Sequence, residues 1–324
     1  MKEYKTEANM DRENVWANKR IAVAGVGGVG GYLAGMLGRV CPHLTLAARG
    51  KRKETLQKEG LTLHSDYHGE IHIWPESVVT MEELPEQDYI FLCVKNYSLE
   101  EACVELRQAV GEDTVVIPVM NGVDPGERTR HFLQKGTVVD SLIYIVAFAN
   151  ADDSITQQGD FARLCIGAKD VNEVNLRKVQ EVAALLAAAD IDCEIAEDIE
   201  VEIWRKYILN CAYNVETACY DNTIGQLRDD PRKAAQYEAL VQEAYQVGLA
   251  KGVNLKKEHI DAIIHRFYHE LADDATSSLQ RDIRDGKRAE VDVFSGYIVR
   301  EAAKYGVPVP VSEEMYEKLK RICG

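Results

Sequence analysis

The sequence predicts an α/β protein in which a doubly wound sheet is followed by an all-helical region. Three observations support this fold class. From Ile21 to about Cys193, short continuously apolar runs alternate with helical stretches, as parallel strands buried on both faces would. A glycine-rich turn directly follows the first of these runs. After about Asp198 the strand signals stop and helical spacing takes over.

Four continuously apolar runs are predicted as strands of one parallel sheet. They are Ile21–Ala24, Leu44–Ala47, 89–94 and 114–119. Two later runs, 138–149 and 163–167, are expected to close the same sheet. The intervening stretches with helical spacing are 31–40, 99–110 and 172–189. This alternation favours the doubly wound arrangement.

The second half of the chain is predicted to be entirely helical. Helical spacing covers 199–220, 231–251, 257–271 and 291–305. A domain boundary is therefore expected near residues 195–200. It separates a lead-in over 1–20 and an α/β domain over 21–197 from a helical domain over 198–324.

Length, composition and charge exclude several classes of protein. The chain has 324 residues, 46% of them apolar, which suits two packed domains. Its net charge of −15 argues against binding to nucleic acid, which needs a basic surface. No apolar run approaches the roughly 18 residues of a membrane span, and the polar N-terminus lacks a signal-peptide core. We expect a cytoplasmic protein that neither spans nor binds a membrane, with a loosely ordered lead-in.

No metal site is predicted. The eight cysteines are scattered without a Cys-x-x-Cys pair, so reduced and mostly buried thiols are expected. His265 and His269 have an i, i+4 spacing that suits a metal, but no third ligand lies nearby in the sequence. A surface or capping role is therefore expected for both histidines.

A glycine-rich turn follows the first predicted strand and opens a helix. Residues 25–30 fit the pattern G-x-G-x-x-G, which in this strand–turn–helix context indicates a dinucleotide cofactor. The glycines permit a tight turn, and the helix N-terminus presents free N–H groups to a pyrophosphate. The residues expected to contact the cofactor are Gly25, Gly27, Gly28, Val29 and Gly30. A purely structural turn is the alternative.

The end of the second predicted strand indicates which dinucleotide binds. NAD-binding domains usually place a carboxylate there to bond the ribose hydroxyls. This chain instead has Arg49, Lys51, Arg52 and Lys53 at that corner. The planar fork of Arg49 can hold a 2′-phosphate, and Lys51 and Arg52 can add to the positive field. NADP(H) is therefore predicted, with a solvated basic loop as the alternative.

A polar ridge runs along the first helix of the second half. Lys206, Asn210 and Asn214 follow one another at i, i+4 and i+8, each turned about 40° from the last. Apolar neighbours such as Trp204 and Ile208 indicate that this helix is largely buried. Buried ammonium and amide groups need partners, and a substrate can supply them. The alternative is that Lys206 reaches water while the amides cap neighbouring turns.

Together these motifs resemble those of the ketopantoate reductases (2-dehydropantoate 2-reductases). The resemblance extends from Ile21 to about Lys318. It rests on the glycine turn with Arg49, on Val94-Lys95, on Asn121-Gly122-Val123, and on residues 203–214, 277–283 and 288–292. It implies NADPH-dependent reduction of ketopantoate to pantoate, on the way to pantothenate. It also implies a Rossmann domain followed by a helical domain like that of 6-phosphogluconate dehydrogenase.

The resemblance further implies roles for individual residues. Lys206 would be the general acid, and Glu290 would pair with it, orienting it and modulating its pKa. Asn210 and Asn214 would bind oxygens of the substrate. An exposed charge in a helix is the alternative for Glu290.

Three more residues match the family's substrate and cofactor cleft. Ser278 would bind the substrate carboxylate, with a plain helix N-cap as the alternative. Because one straight helix could not point Ser278 and Glu290 the same way, Gly286 is expected to break it. Lys95 and Asn121 would lie on the nicotinamide–substrate side of the cleft, with a simple Asn-Gly turn as the alternative for Asn121.

Two departures from the family pattern keep the substrate open. The Asn-Pro pair of the substrate helix is Asn214-Val215 here, and the Asn-Gly pair of a later loop is Ile224-Gly225. A different branched or aromatic 2-keto acid is therefore an alternative substrate, and a regulatory protein that binds NADPH without turnover is a further one. The expected partner is a small-molecule 2-keto acid, and the helical domain could support a homodimer.

Overall fold

The described part of the chain, residues 15–324 of a computed structural model, forms two compact units. The first contains the described residues up to Met120 together with Asp124–Ile199. The second contains Asn121–Val123 and Glu200–Gly324. Within residues 15–324, no helix is long and apolar enough to cross a membrane.

A parallel six-stranded sheet forms the centre of the first unit. In chain order, the strands of this unit are β1 (Ile21–Ala24), β2 (Leu44–Ala47), β3 (Leu61–Ser65), β4 (Gly69–Ile73), β5 (Ser77–Val79), β6 (Tyr89–Leu92), β7 (Val115–Pro118), β8 (Thr137–Val138), β9 (Asp140–Ala149), β10 (Ile155–Gly167) and β11 (Asp192–Ile195). The parallel sheet has the order β5-β2-β1-β6-β7-β8. Because the chain leaves β1 first towards β2 and later returns to β6 on its other side, the strand order reverses beside β1. Ligands of doubly wound sheets bind at such a reversal, at the carboxyl ends of the strands.

Helices cover the faces of this sheet. They are α1 (Gly28–Leu37), α2 (Gly50–Glu59), α3 (Leu99–Glu105) and α4 (Pro125–Leu133), while a fifth helix of this unit, α5 (Glu173–Ala188), packs against β10 and β11. Strands β1, β2, β6 and β7 are buried along their whole length and contribute to apolar clusters on both faces. This is the environment that the continuous apolar runs predict. The helix predicted over 99–110 is α3 followed by a 3₁₀ turn, Leu106–Ala109.

The expectation that 138–149 and 163–167 close the parallel sheet is wrong. Only the short strand β8 joins it, while β9 and β10 belong to a second sheet. That sheet has the order β11-β10-β3-β4, with β9 antiparallel to β10. The hairpin of β3 and β4 alternates apolar with polar residues such as His64 and Glu70, as expected of a sheet with one wet face. Such strands contain no continuously apolar run, so the pattern that predicts the parallel strands does not predict them.

Helix α1 packs against both sheets because one side of it is built from glycine. A Cβ on Gly31 would overlap the side chain of Ile155, and one on Gly35 would lie 2.9 Å from Leu63 Cδ2. Both residues of the second sheet are fully buried there. The glycines thus let β3 and β10 approach the helix that starts at the cofactor turn.

The described end of the lead-in is packed against the first unit. Trp16 is buried, and its ring lies edge-on to Tyr89 with centroids 5.9 Å apart. The backbone amide of Arg20 donates to Asp88 at 2.8 Å. The expectation of a loosely ordered lead-in is therefore wrong for residues 15–20, and its remainder, 1–14, lies outside the described residues.

Within the described residues, the regular elements of the second unit are all helices. Its helices are α6 (Ile199–Tyr220), α7 (Ile224–Arg228), α8 (Pro231–Ala250), α9 (Lys257–His269), α10 (Ser278–Arg284), α11 (Tyr297–Tyr305) and α12 (Pro310–Cys323). A π-helical turn, Asp292–Gly296, directly precedes α11, so the helix predicted over 291–305 is not regular. Trp204 and Tyr207 of α6 are almost completely buried.

A buried carboxyl group lies on α6. Glu216 is fully inaccessible, and neither of its carboxyl oxygens has a hydrogen-bond partner among the described residues. Burial raises its pKa to about 8, against the opposing pull of Lys233 and Lys318 and with a smaller raising effect of Asp230. At neutral pH this side chain is therefore held protonated.

Replacing Glu216 with glutamine should change the pH dependence of stability. An unfolded chain releases the Glu216 proton near pH 4.5, whereas the folded protein releases it near pH 8. Stability is thus lost as the pH rises between these values. Glu216→Gln has no such proton to release. The difference in free energy of unfolding between this variant and the wild type should therefore shift in favour of the variant by at least about 1 kcal/mol when the pH is raised from 5 to 9.

Thermal or urea unfolding at both pH values measures this difference. Glu314→Gln, a change of an exposed carboxylate on α12, is the control and should follow the wild type. Parallel stability curves for Glu216→Gln and the wild type would contradict the assignment of a protonated Glu216.

Candidate active site

The glycine-rich turn carries the chain from β1 into α1. Gly25 has φ of +94°, and its amide donates to the Ala47 carbonyl at 3.1 Å, which ties the turn to the end of β2. A Cβ on Gly30 would overlap the Gly25 carbonyl oxygen, whereas one on Gly27 would meet nothing within 4 Å. Gly25 and Gly30 therefore make the turn tight, and Gly27 leaves open space beside it.

The N-terminus of α1 is suited to an anion. Gly27 is its N-cap residue, and no side chain of the described residues caps the helix there. The first turn carries no acidic side chain, so its unpaired N–H groups and the helix dipole favour negative charge. Open space at the second glycine is what the approach of a pyrophosphate requires. The turn thus fits a dinucleotide.

The basic corner after β2 contains two exposed cations. Arg49 is the N-cap residue of α2, and its side chain is 77% exposed, 3.8 Å from the Glu101 carboxylate. Lys51, in the first turn of α2, is also exposed. Both side chains are exposed enough to turn towards a phosphate, Arg49 by giving up its long ion pair with Glu101.

The other two basic residues of this corner are engaged elsewhere. Arg52 is largely buried, donates from Nε to the Val26 carbonyl at 3.1 Å, and pairs with Asp153. Lys53 Nζ lies 2.7 Å from the Glu83 carboxylate. Nε and Nη1 of Arg52 are thus used by protein carbonyl and carboxylate groups, whereas its buried Nη2 has no hydrogen-bond partner among the described residues. Its pairing with Asp153 gives no support to the expectation that Arg52 adds to the field at a 2′-phosphate.

Lys95 lies three residues beyond the end of β6. Its side chain is exposed, and its carbonyl accepts the first hydrogen bond of the 3₁₀ turn Asn96–Ser98. Arg128 of α4 donates to the carbonyl of the buried Asn96 at 3.2 Å. The loop that carries Lys95 is thus fixed from beneath by α4.

Lys206 is a strongly perturbed polar group on α6. It is half-buried, and its Nζ donates to Asn121 Oδ1 at 3.3 Å. Burial lowers the pKa of Lys206 to about 8, while the Glu290 carboxylate acts in the opposite direction. A lysine with this pKa is protonated at neutral pH and can still give up its proton, as a general acid must.

Hydrogen bonds between side chains continue further along α6. Asn214 Nδ2 donates to Asn210 Oδ1 at 3.2 Å. Asn214 Oδ1 in turn accepts from Ser278 Oγ at 3.2 Å and from the amide of Leu279 at 3.3 Å. These contacts use the oxygen of Asn210 and leave its NH₂ group without a hydrogen bond to the described residues. That NH₂ group is available to a substrate oxygen, whereas Asn214 is buried behind it.

The hydroxyl groups at the start of α10 have separate tasks. Ser277 is the N-cap residue, and its oxygen accepts from the amide of Gln280 at 3.1 Å and from Thr217 Oγ1 at 2.7 Å. Ser278 is therefore not needed as a cap, and its hydroxyl donates instead to Asn214 Oδ1. The N-cap alternative raised for Ser278 applies to Ser277 instead.

Glu290 stands at the entrance to the π-helical turn. It is buried, and its carbonyl accepts the amides of Val293 and Phe294. The hydroxyl of Tyr207 on α6 donates to the Val293 carbonyl at 2.6 Å, which fixes this turn against α6. The preceding helix α10 ends at Arg284, and Gly286 has φ of +64°. The break expected at Gly286 is confirmed.

The loop between α6 and α8 is structural. Ile224 is fully buried at the start of α7, whose capping box is formed by Thr223 and Gln226. Asn222 accepts from Lys233 Nζ at 2.7 Å. The side chain of Ile224 packs in the core, so the departure at Ile224-Gly225 gives no support to a different substrate.

Comparison with known families decides the relationship. The family described as "Ketopantoate reductase PanE/ApbA" matches residues 21–170, and the one described as "Ketopantoate reductase PanE/ApbA C terminal" matches residues 198–322. The chain belongs to the PanE/ApbA ketopantoate reductase family. It is therefore an oxidoreductase of that family, with the Rossmann-type and helical domains that the resemblance implies.

Individual members of the PanE/ApbA family are similar over almost the whole chain. An uncharacterized oxidoreductase of Bacillus subtilis, YkpB, is 25% identical over 305 residues, covering 93% of this chain and 98% of YkpB. The 2-dehydropantoate 2-reductase of Mesorhizobium japonicum is 26% identical over 328 residues, covering 94% and 98%. The crystal structure of a PanE/ApbA family ketopantoate reductase from Ralstonia eutropha has a TM-score of 0.84 at 25% identity, covering 93% and 97%.

Some structural features of this family member were not predictable from motifs. The sequence pattern marks Tyr207 only as an aromatic residue of a buried helix and gives no sign of its hydrogen bond to the π-helical turn. Asp153, the partner of Arg52, is 101 positions away from it. Neither contact leaves a local signal in the sequence.

Proposed function

We propose that this protein is a ketopantoate reductase that uses NADPH to reduce 2-dehydropantoate to pantoate in the cytoplasm, as a step towards pantothenate. The observation that carries the proposal is the half-buried Lys206, whose pKa of about 8 and hydrogen bond to Asn121 suit a general acid. The available amide of Asn210 lies one helical turn further along α6. Family membership adds support for an oxidoreductase, and the substrate is the part that needs testing.

The residues of this chain divide the chemical work. When bound, the reduced nicotinamide supplies a hydride to C2 of the keto acid. Lys206 holds the proton that goes to the C2 oxygen as negative charge develops there, and Glu290 favours the charged form of Lys206. The Asn210 amide donates to a substrate oxygen while its own oxygen accepts from Asn214. To hold the substrate carboxylate, the Ser278 hydroxyl turns its proton from Asn214 Oδ1 to the substrate, and the amide of Leu279 still donates to that Asn214 oxygen.

The cofactor end of the first unit supports NADP(H). The tight turn and open space at Gly27 suit the pyrophosphate, and the exposed Arg49 and Lys51 suit a 2′-phosphate. The position that a carboxylate would take to bond a ribose diol is held by Arg49. Lys95, in the loop after β6, and Asn121 remain our candidates for the nicotinamide side.

Replacing Arg49 with alanine should weaken the binding of NADPH far more than the binding of NADH. A lost charged contact to the 2′-phosphate is worth about 1.5–3 kcal/mol, or roughly 10- to 100-fold in Kd. Titration of the apo-protein with each dinucleotide, followed by nicotinamide fluorescence, measures both values. Lys53→Ala is the matched control, because Lys53 is paired with Glu83 and should leave the ratio unchanged. Equal losses for both dinucleotides would show that the 2′-phosphate is held elsewhere.

The pH dependence of reduction should report the pKa of Lys206. Because the acid form is the active one, kcat/KM should be level below about pH 8 and fall tenfold per pH unit above it. The Glu290 carboxylate raises this pKa, so Glu290→Gln should move the fall to lower pH. Glu202→Gln removes the partner of Arg205 on the same helix and serves as the control. An alkaline limb that stays in place in Glu290→Gln would contradict the proposed pairing.

A panel of 2-keto acids tests the substrate. The departure at Asn214-Val215 favours including branched and aromatic 2-keto acids beside ketopantoate. We expect the highest kcat/KM for ketopantoate when NADPH oxidation is followed by absorbance. A higher value for another acid would reassign the substrate and keep the reaction class, whereas tight NADPH binding without turnover of any acid would indicate a regulatory protein.

A further inference from the structure

An ion pair beside the cofactor turn holds the turn from behind. Arg52 donates from Nε to the Val26 carbonyl at 3.1 Å, and its Nη1 lies 3.3 Å from a carboxylate oxygen of Asp153. The same Nη1 also donates to the Asp153 carbonyl. Val26 is the residue between the first two glycines of the turn, so Arg52 contacts the cofactor turn through its backbone.

The acidic partner belongs to a distant part of the first unit. Asp153 lies in the loop between β9 and β10, where it adopts φ of +66°. Thr55, one helical turn after Arg52 on α2, donates to its second carboxylate oxygen at 2.8 Å. A left-handed conformation at a residue other than glycine is sustained only where its surroundings fix it, and here contacts from two side chains of α2 do so.

Burial makes this contact expensive to break. The side chains of Arg52 and Asp153 are only 16% and 21% exposed. Removing one member of such a pair leaves an uncompensated charge in poor contact with water, whereas neutralising both is better tolerated. The loop of β9 and β10, helix α2 and the glycine turn are thus held together at one point.

We propose that Arg52, Asp153 and Thr55 form a positioning latch that fixes the Val26 carbonyl and so keeps the amides of the glycine turn aimed at the dinucleotide. This inference rests on the proposed function, because it concerns the same cofactor. Arg52 acts through the backbone of Val26 and is a positioning residue, unlike Arg49, which would touch the 2′-phosphate. The latch therefore serves NADPH and NADH equally.

The test is a double-mutant cycle on dinucleotide affinity. Arg52→Gln, Asp153→Asn and the double variant are titrated as apo-proteins with NADPH and with NADH, with Lys53→Gln as the control on the same helix. Asparagine tolerates the left-handed conformation, so Asp153→Asn removes the charge with little backbone strain. Hydrogen exchange of the Val26–Gly31 amides in the apo-proteins gives a second readout that does not depend on activity.

We expect each single variant to raise the Kd for NADPH and for NADH by the same factor, about tenfold, as for the loss of one charged hydrogen bond. The double variant should bind no more weakly than either single variant. The turn amides of the variants should exchange faster than those of the wild type and of Lys53→Gln. A loss in Arg52→Gln that is larger for NADPH than for NADH would overturn the inference in favour of direct phosphate binding. Lower thermal stability with unchanged Kd, or additive losses in the double variant, would overturn it as well.

The wild type separates this inference from the proposed function. If it binds dinucleotides but reduces no 2-keto acid, the proposed function fails, while the double-mutant cycle still tests whether Arg52 and Asp153 position the turn. If it binds neither NADPH nor NADH, both fail.

Discussion

Lys206→Ala should lower kcat for the reduction of ketopantoate by about 10³-fold, within the range that a positioned general acid contributes. The physical reason is the loss of an ammonium group whose pKa of about 8 lets it give up a proton near neutral pH. The affinity for NADPH should stay within about twofold of the wild type, because the proposed pyrophosphate and 2′-phosphate contacts are made by other residues. Steady-state NADPH oxidation at saturating keto acid, together with NADPH titration, gives both values.

A neighbouring cation provides the control for this experiment. Arg205→Ala removes a charge from the same helix, one that is paired with Glu202 and lies away from the polar ridge. It should retain most of the activity. The pH profile adds a second criterion, because the residual activity of Lys206→Ala should no longer fall above pH 8. A rate near that of the wild type for Lys206→Ala would reject its role as acid.

Two alanine substitutions in the glycine turn should have large and different effects. Gly27 has an ordinary φ of −88°, and a Cβ added there would meet nothing within 4 Å, so Gly27→Ala should fold as the wild type does. Its methyl group would nevertheless stand in the space that the pyrophosphate needs, and dinucleotide affinity should fall at least about tenfold. Gly30→Ala would place a Cβ against the Gly25 carbonyl oxygen and the Cys93 side chain, which should destabilise the first unit by about 1–3 kcal/mol.

Thermal unfolding and dinucleotide titration of the two variants separate these effects. Gly27→Ala is expected to keep the melting temperature and lose binding, whereas Gly30→Ala should lose both. Normal dinucleotide affinity in a stably folded Gly27→Ala would show that the cofactor does not approach the turn as we propose.

The parts of the fold that follow from sequence are those in which one physical effect dominates. Strands β1 and β2 are continuously apolar because both faces are buried, and their predicted bounds match the structure. Helix α6 likewise runs over Ile199–Tyr220 as predicted, since its apolar spacing is uninterrupted. The second sheet escaped prediction because polar residues alternate with apolar ones in β3 and β4, and because β3 pairs with β10, about 90 positions further along the chain.

The candidate site shows the same division. The spacing of Lys206, Asn210 and Asn214 places them on one side of α6, and the structure joins the two amides by a hydrogen bond. Spacing could not show that Asn214 accepts a hydrogen bond from Ser278, since that contact joins two separate helices. Nor could spacing show that Arg52 is buried and paired while Arg49 is exposed, because the partner of Arg52 is Asp153, a carboxylate on a loop distant in the sequence.

The central claim is that hydride from NADPH is delivered to C2 of ketopantoate, and isotope transfer tests it most directly. The enzyme is incubated with ketopantoate and NADPH carrying deuterium at one or the other C4 position, and the product is analysed by mass spectrometry and NMR. We predict pantoate with one deuterium on C2 from one of the two labelled cofactors and none from the other. Absence of labelled pantoate from both, with enzyme that binds NADPH, would contradict the account.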